Sequence, residues 1–433
     1  MTKDKQSSTA TQGQQAPAAP SLDEAFADGQ TSVERVCLLA GIEVLQDMME
    51  QDARRACGGQ RYARSSDRQA YRWGTTTSVL GYQGGKVSVQ RPQVRTSAGE
   101  EVTLPSWAEL RDPDVLRQWA FNMAVLNVST RGYGRATRPP EGDVPAKQGD
   151  GTSRSAVSRR FVAMSRKRFH EWLQADPSEH GLVVVQVDGL GVGETTLVAA
   201  IGVDSDGRKH VLSLADGATE NKAVVQALLD DLVARGLDLA TPRLFVVDGA
   251  KALSKAIRNT FGANAAIQRC QIHKSRNILD RLPESKRPSV RKALRQTWDQ
   301  DHPEKPERLL RNLARRLEHE APGVSNSIRE GLDEMLTVVR LGLPRELRRS
   351  LACTNIIENA LGTVRRVTAN VKRWPDAEMA MRWTATGLLE ANRTFRRLKA
   401  HQQLPVLCVN LELRLSSREE MVPSPVEDKQ QAA

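Results

Sequence analysis

The spacing of apolar and polar residues changes several times along the chain, and each change marks an element. Residues 182–188, Leu-Val-Val-Val-Gln-Val-Asp, are a nearly unbroken apolar, β-branched run that ends in a carboxylate before Gly189. That is the pattern of a strand buried on both faces. Runs at 195–203 and 209–214 follow across short turns, the second of them Asp204-Ser205-Asp206-Gly207, which predicts an antiparallel meander. Residues 221–235 place Val224, Ala227, Leu228 and Leu232 on one stripe, a helix that crosses over to a further strand at 243–248, ending Val247-Asp248-Gly249.

Three antiparallel strands, a helix and another strand, with acids closing the first and fourth strands, is the order of a ribonuclease-H-like core. Before it, helical spacing predicts a helix over 33–50 with Val36, Leu39, Val44 and Met48 inward, and another over 112–126 with Val115, Leu116, Trp119, Met123 and Leu126 inward. Between them, 86–95 alternates around Val87, Val89 and Val94 as a short hairpin laced with Arg91 and Arg95. A polar interval, 132–151, precedes a helix over 152–173 that buries Val157, Phe161, Met164 and Phe169. After the core strands, 290–298, 307–320 and 324–337 each show helical spacing, so 281–345 reads as an inserted all-helical domain.

Composition narrows the partner. Lys and Arg number 63 against 52 acids, a net charge of +11, which favours a polyanion, nucleic acid above all. Between Gly151 and His170 there are six basic residues and no acid, so Arg154, Arg159, Arg160 and Arg166 offer an outward basic face suited to a recognition helix. Five scattered cysteines and no apolar stretch of about 18 residues predict a reduced, non-membrane chain. Residues 1–22, rich in Gln, Ala, Ser, Thr and Pro, read as a disordered tail.

Each acid also has a structural explanation. Asp-Gly after a strand is a turn signal, and Asp248 could cap a helix at 250–259. Two such aspartates at matching strand ends in a basic protein point instead to a pair whose repulsion a divalent metal offsets. Cys270-x-x-His273 could begin a zinc site, but no second close pair supplies the remaining ligands, which favours packing support at the site. Glu358, three residues after Asn355, fits the third helical position of a capping box.

The assembled motifs resemble the Mutator-type transposases of bacterial insertion sequences, the insertion sequence two-five-six group. They are Val-Asp-Gly at 187–189, Thr219-Glu220-Asn221, Val-Asp-Gly at 247–249, Gln-Arg-Cys-x-x-His-Lys at 268–274, Thr-Asn-x-Ile-Glu at 354–358 and Arg373-Trp374, spread over about 70–405. The resemblance implies a DDE triad on a ribonuclease-H-like fold, falling on Asp188, Asp248 and Glu358, which would hold two Mg²⁺ or Mn²⁺ ions for phosphoryl transfer. It implies cleavage at the terminal inverted repeats and strand transfer into target DNA, by a homodimer or higher homo-oligomer in the bacterial cytoplasm, at the nucleoid. Cys270 and His273 would support the site, and Lys274, Arg365 and Arg366 would extend the DNA surface.

The expected architecture is therefore an α/β ribonuclease-H-like catalytic core with an all-α insertion domain, preceded by a mainly α N-terminal DNA-binding region. Its parts are a tail at 1–22, a DNA-binding region with a helix-turn-helix-like segment at 23–176, core at 177–280, insertion at 281–345, core again at 346–402 and a tail at 403–433. A structure-specific nuclease or resolvase with the same core, or a domesticated DNA-binding regulator, are the alternatives.

Overall fold

The computed structural model describes residues 33–59, 69–137, 152–302 and 304–419. The expected tail at 1–22 and most of the polar interval at 132–151 lie outside them. The chain forms two compact units, Met1–Met164 and Ser165–Ala433.

In the first unit, helix α1 (Val33–Ala56) packs on a hairpin of β1 (Ala70–Tyr82) and β2 (Gly85–Thr96). The inward face of α1 is Leu38, Leu39, Ile42, Leu45 and Met49, joined by Val87, Val89 and Val94 of the hairpin. Val44 and Met48, expected inside, are 58% and 41% exposed. The run Ile42 to Met49 carries apolar residues on adjacent positions, so its periodicity admits two faces, and packing on the hairpin selects the one a residue further on. The β1 strand escaped the sequence reading because Thr, Gly and Ser fill its middle. At the hairpin turn Gly84 has φ +81°, and a Cβ there would stand 2.3 Å from the Trp119 ring, so only glycine fits. Helices α2 (Pro105–Leu110), α3 (Asp114–Val125) and the single turn α4 (Tyr133–Ala136) follow. On α3 the buried residues are Ala120, Phe121 and Val125, while Val115 and Leu126, expected inside, are exposed. Helix α5 (Arg154–Leu173) begins in this unit, where Phe161 stacks on Phe121 and Val157 packs with Tyr133.

The second unit is built on a five-stranded sheet in the order β5-β4-β3-β6-β7. Strands β3 (Leu182–Val192), β4 (Thr195–Asp204) and β5 (Lys209–Asp216) form the antiparallel meander. Helix α6 (Lys222–Ala234) crosses to β6 (Arg243–Val247), and helix α7 (Lys251–Phe261) leads to β7 (Ala265–Arg269); β6 and β7 run parallel to β3. Side chains alternate between the sheet faces. Val185, Val187, Phe245 and Val247 meet α6 and α7 through Leu228, Leu229, Leu232, Leu253 and Ile257. Val184, Leu244 and Val246 face the opposite layer.

That opposite layer comes from the second half of the chain. Helices α8 (Gln271–Asp280), α9 (Arg287–Trp298), α10 (Glu304–Leu317), α11 (Pro322–Arg329) and α12 (Leu332–Met335) share their own apolar cluster around Ile278, Leu294, Leu310, Leu313 and Ile328. The single helix expected over 324–337 is broken, because Gly331 takes φ +78° and separates α11 from α12. The layer against the sheet is made by α13 (Thr337–Arg340), α14 (Arg345–Leu351), α15 (Asn355–Val367), α16 (Ala377–Thr394) and α17 (Leu404–Glu419). Residues 404–419, expected as part of a tail, form α17 because Leu404, Leu407 and Leu411 recur at helical spacing and are all buried in that layer.

Candidate active site

Strand register brings the two aspartates together. In the parallel pairing of β3 with β6, Val187 is the partner of Val247, so Asp188 and Asp248 are the next residues of neighbouring strands. Strand β3 does not end at Asp188 as its sequence suggests: antiparallel pairing with β4 continues from Asp188, opposite Ala199, to Val192. What ends there is the parallel neighbour, which leaves Asp188 beside the open end of β6.

Both carboxylates are held by donors. Gly189 N–H donates to Asp188 Oδ1 at 2.9 Å, and Ala250 N–H donates to Asp248 Oδ1 at 2.9 Å. Thr219 Oγ1 donates to Asp248 Oδ2 at 2.9 Å. Asp188 is 5% exposed. Burial is the main reason its carboxyl is pushed up to about 6; the neighbouring Asp248 charge adds to the rise, and the Thr354 hydroxyl, the Gly189 N–H and His273 oppose it.

The helix N-terminus at 270–274 forms the opposite wall. Cys270 caps α8, its sulfur accepting the His273 N–H at 3.5 Å and the Thr354 hydroxyl at 3.6 Å. Cys-x-x-His is thus the spacing of an N-cap and the third residue beyond it. Gln271 N–H donates to Ala352 O at 2.9 Å and buried Gln186 donates from Nε2 to Cys353 O at 3.1 Å, tying α8 and β3 to the turn before α15. His273 is raised to about 9, first by the Cys270 sulfur and then, after the opposing effect of burial, by further Cys270 charge, Asp188 and Glu358. Its Nδ1 is buried without a hydrogen bond of ordinary geometry.

Glu358 does not cap its helix. The N-cap of α15 is Thr354 rather than Asn355, which moves Glu358 one position past the capping-box site. Its Oε1 lies 3.3 Å from Arg276 Nη1 and 3.6 Å from His273 Nε2. Among the described residues no group of three Asp, Glu, His or Cys is placed to hold an ion. The pair Asp188 and Asp248 still fits a divalent cation, since two hard oxygen donors sit at adjoining positions and their repulsion already raises one of them.

The expected DNA contacts divide. Arg154 and Arg159 are exposed on α5, and Arg365 and Arg366 are exposed on α15. Arg160 is half-buried and touches Tyr133, and Arg166 pairs with Glu378 at 2.6 Å. Lys274 is a correction: it is 1% exposed, its ammonium donating to the Ser327 carbonyl and, at 2.9 Å, to the Ser327 hydroxyl. It lies on the inward side of α8, against α11, with its charge turned to Ser327 and away from solvent. Thr219, Thr354 and Arg276 were missed as site residues. The signals near them were the motif Thr-Asn-x-Ile-Glu at 354–358, which Thr354 opens, and the motif Thr219-Glu220-Asn221, in which Asn221 Oδ1 caps α6 by accepting from Ala223 N–H at 3.0 Å.

Fold and site together define an α/β protein with an acidic centre at the carboxyl end of a parallel strand pair. The profile of the family described as "Transposase, Mutator family" matches residues 27–397, and the chain belongs to that family. It is 26% identical over 375 residues to the transposase for insertion sequence element ISRM5 of Rhizobium meliloti, covering 83% of this chain and 91% of that one. To the transposase for insertion sequence element IS1081 of Mycobacterium tuberculosis it is 26% identical over 389 residues, 86% of this chain and 88% of that one. To that of IST2 from Acidithiobacillus ferrooxidans it is 32% identical over 176 residues, 41% and 58% of the two chains.

Proposed function

We propose that this protein is a DDE transposase of the insertion sequence two-five-six group, which binds the terminal inverted repeats of its element and carries out metal-dependent cleavage and strand transfer on a ribonuclease-H-like core. The observation that carries the reading is the placement of Asp188 and Asp248 one residue beyond the register partners Val187 and Val247, in a chain of a transposase family.

In this reading Asp188, Asp248 and Glu358 hold Mg²⁺ or Mn²⁺, and two ions would supply activation of the attacking oxygen and stabilisation of the leaving one. Water opens the phosphodiester at the element end and leaves a 3′-OH, which then attacks a target phosphodiester and displaces its 3′ oxygen. Both steps break and make one phosphorus–oxygen bond, so positioning and charge carry catalysis. His273, held above its ordinary value by the Cys270 sulfur and, less, by the Asp188 and Glu358 carboxylates, offers a proton donor or positive charge beside the acids. The helix-turn-helix-like segment ending in α5 presents Arg154 and Arg159 to the repeats, and the α8–α12 helices, inserted between the second and third acids, would handle DNA at the site.

The test uses a labelled duplex carrying the element end, a second target duplex and Mg²⁺. The proposal expects end cleavage followed by joined products, both lost in Asp248→Asn. Cleavage without joining would make the protein a nuclease or resolvase, and binding without cleavage a regulator.

A further inference from the structure

Thr219 sits in the five-residue link between β5 and α6, 29 residues from Asp248 in sequence. The link is held at both ends. Gly217 N–H donates to Thr196 O at 2.8 Å, and Gly217 has φ +132° with a notional Cβ 2.5 Å from Val224, so a side chain is excluded there. Asn221 N–H donates to Ala218 O at 3.0 Å while its side chain caps α6. Thr219 itself is 4% exposed.

The two branches of its side chain do different things. The hydroxyl donates to Asp248 Oδ2 at 2.9 Å, with Glu220 Oε2 farther off at 3.4 Å. A hydroxyl has one proton to give, and the shorter contact takes it. With Ala250 N–H on Oδ1, each oxygen of Asp248 has one donor, which fixes the carboxylate plane and leaves one lone pair per oxygen outward. The methyl packs beside Gly189, where an added Cβ would come within 3.4 Å of Thr219 Cγ2. One β-branched residue thus lies against both strands, through oxygen at Asp248 and through carbon beside the residue after Asp188.

We infer that Thr219 is a positioning residue, orienting Asp248 as a metal ligand and setting its distance from Asp188 on β3. The inference rests on the acidic-site reading above. Partners of this kind behind ligating carboxylates commonly change metal affinity by about 10–100-fold when removed.

The experiment measures Mn²⁺ binding to the full-length protein, without DNA, by the loss of the free-ion electron paramagnetic resonance signal. Thr219→Val keeps the shape and removes the proton; it should weaken Mn²⁺ binding about tenfold or more while leaving affinity for element-end DNA unchanged. Thr219→Ser keeps the proton and should bind Mn²⁺ within about threefold of the wild type, a margin below the range just cited. A Thr219→Val protein that binds Mn²⁺ normally while Asp248→Asn does not would overturn the positioning role and leave the site reading intact. Loss in Thr219→Ser as large as in Thr219→Val would also overturn it, since a variant that keeps the hydroxyl proton would then bind no better than one that lacks it. Normal binding in Asp248→Asn as well would overturn the site reading and this inference with it.

Discussion

His273 Nε2 lies 3.6 Å from Glu358 Oε1, and Arg276 Nη1 lies 3.3 Å from the same oxygen. Glu358 therefore rests against Arg276 and His273, while Asp188 and Asp248 rest against hydrogen-bond donors. Glu358 is 33% exposed, so these pairs contribute little to stability. Glu358→Gln should leave the melting temperature within about 2 °C, as expected for a loss below about 0.5 kcal/mol, and abolish end cleavage. Normal cleavage by that variant would remove Glu358 from the triad.

Arg276→Ala separates the two roles available to that arginine. If Arg276 only parks Glu358, freeing the acid should leave DNA affinity unchanged and lower the Mg²⁺ needed for half-maximal cleavage. If it also contacts a DNA phosphate, the salt slope of log K falls by about 0.9. Titrations of salt and of Mg²⁺ read the two effects independently.

Asp188 carries an opposite stability sign. Its folded carboxyl sits at about 6 against an ordinary 3.8, so the folded state binds the proton more tightly than the unfolded one. Its contribution is favourable below about pH 4 and is lost as pH rises through 6. A rise of that size disfavours the ion by on the order of 3 kcal/mol. In metal-free buffer at pH 7.5, Asp188→Asn should melt higher than the wild type while losing cleavage. A lower melting temperature would identify the carboxylate as structural.

The core strands were legible because long β-branched runs leave few alternatives: the meander, crossover helix and return strand all occur close to the expected positions. The adjacency of Asp188 and Asp248 was legible because each ends a recognisable run. Contacts set by distant segments were not. Lys274 lies in a basic stretch, and nothing local reveals that Ser327, 53 residues on, receives its ammonium. Thr219 was visible only as the start of the motif Thr219-Glu220-Asn221, and Glu358 looked like a capping residue, until the positions of β6 and α8 fixed their partners. Helix α17 was passed over because its three buried leucines are separated by residues that include the exposed Val406 and Val409.

Lys274 gives a pH test of its corrected role. Burial brings its ammonium from the ordinary 10.5 down to about 8. Between these values the unfolded state holds a proton that the folded state has lost, so stability gained from this group increases with pH across that window. Lys274→Met should flatten that part of the melting profile and leave the salt dependence of DNA binding unchanged. A fall in the salt slope would return Lys274 to the DNA surface.

For the basic helix, Arg154→Ala and Arg159→Ala should each weaken binding to element ends and reduce the salt slope by about 0.9. Arg160→Ala should also lower the melting temperature, because Arg160 touches buried Tyr133. Unchanged affinity in the Arg154→Ala, Arg159→Ala double variant would move end recognition to another surface.

Both hairpin tips of the meander are clasped by chain from far downstream. Gly193, at the β3–β4 turn, lies so close to Trp374 that a Cβ would stand 2.6 Å from its ring, and Gly207, at the β4–β5 turn, accepts from Leu398 N–H at 2.7 Å. During synthesis the strand bearing Asp188 is therefore complete roughly 200 residues before its last clasp leaves the ribosome, some tens of seconds at about 5–20 residues per second. A ribosome that stalls or a message that breaks in that interval yields a chain able to carry the basic helix but not a finished acidic centre. If Asp188 and Asp248 form the cutting centre proposed above, cleavage competence is then a property of nearly full-length translation, and the fold itself screens out fragments before they could break DNA.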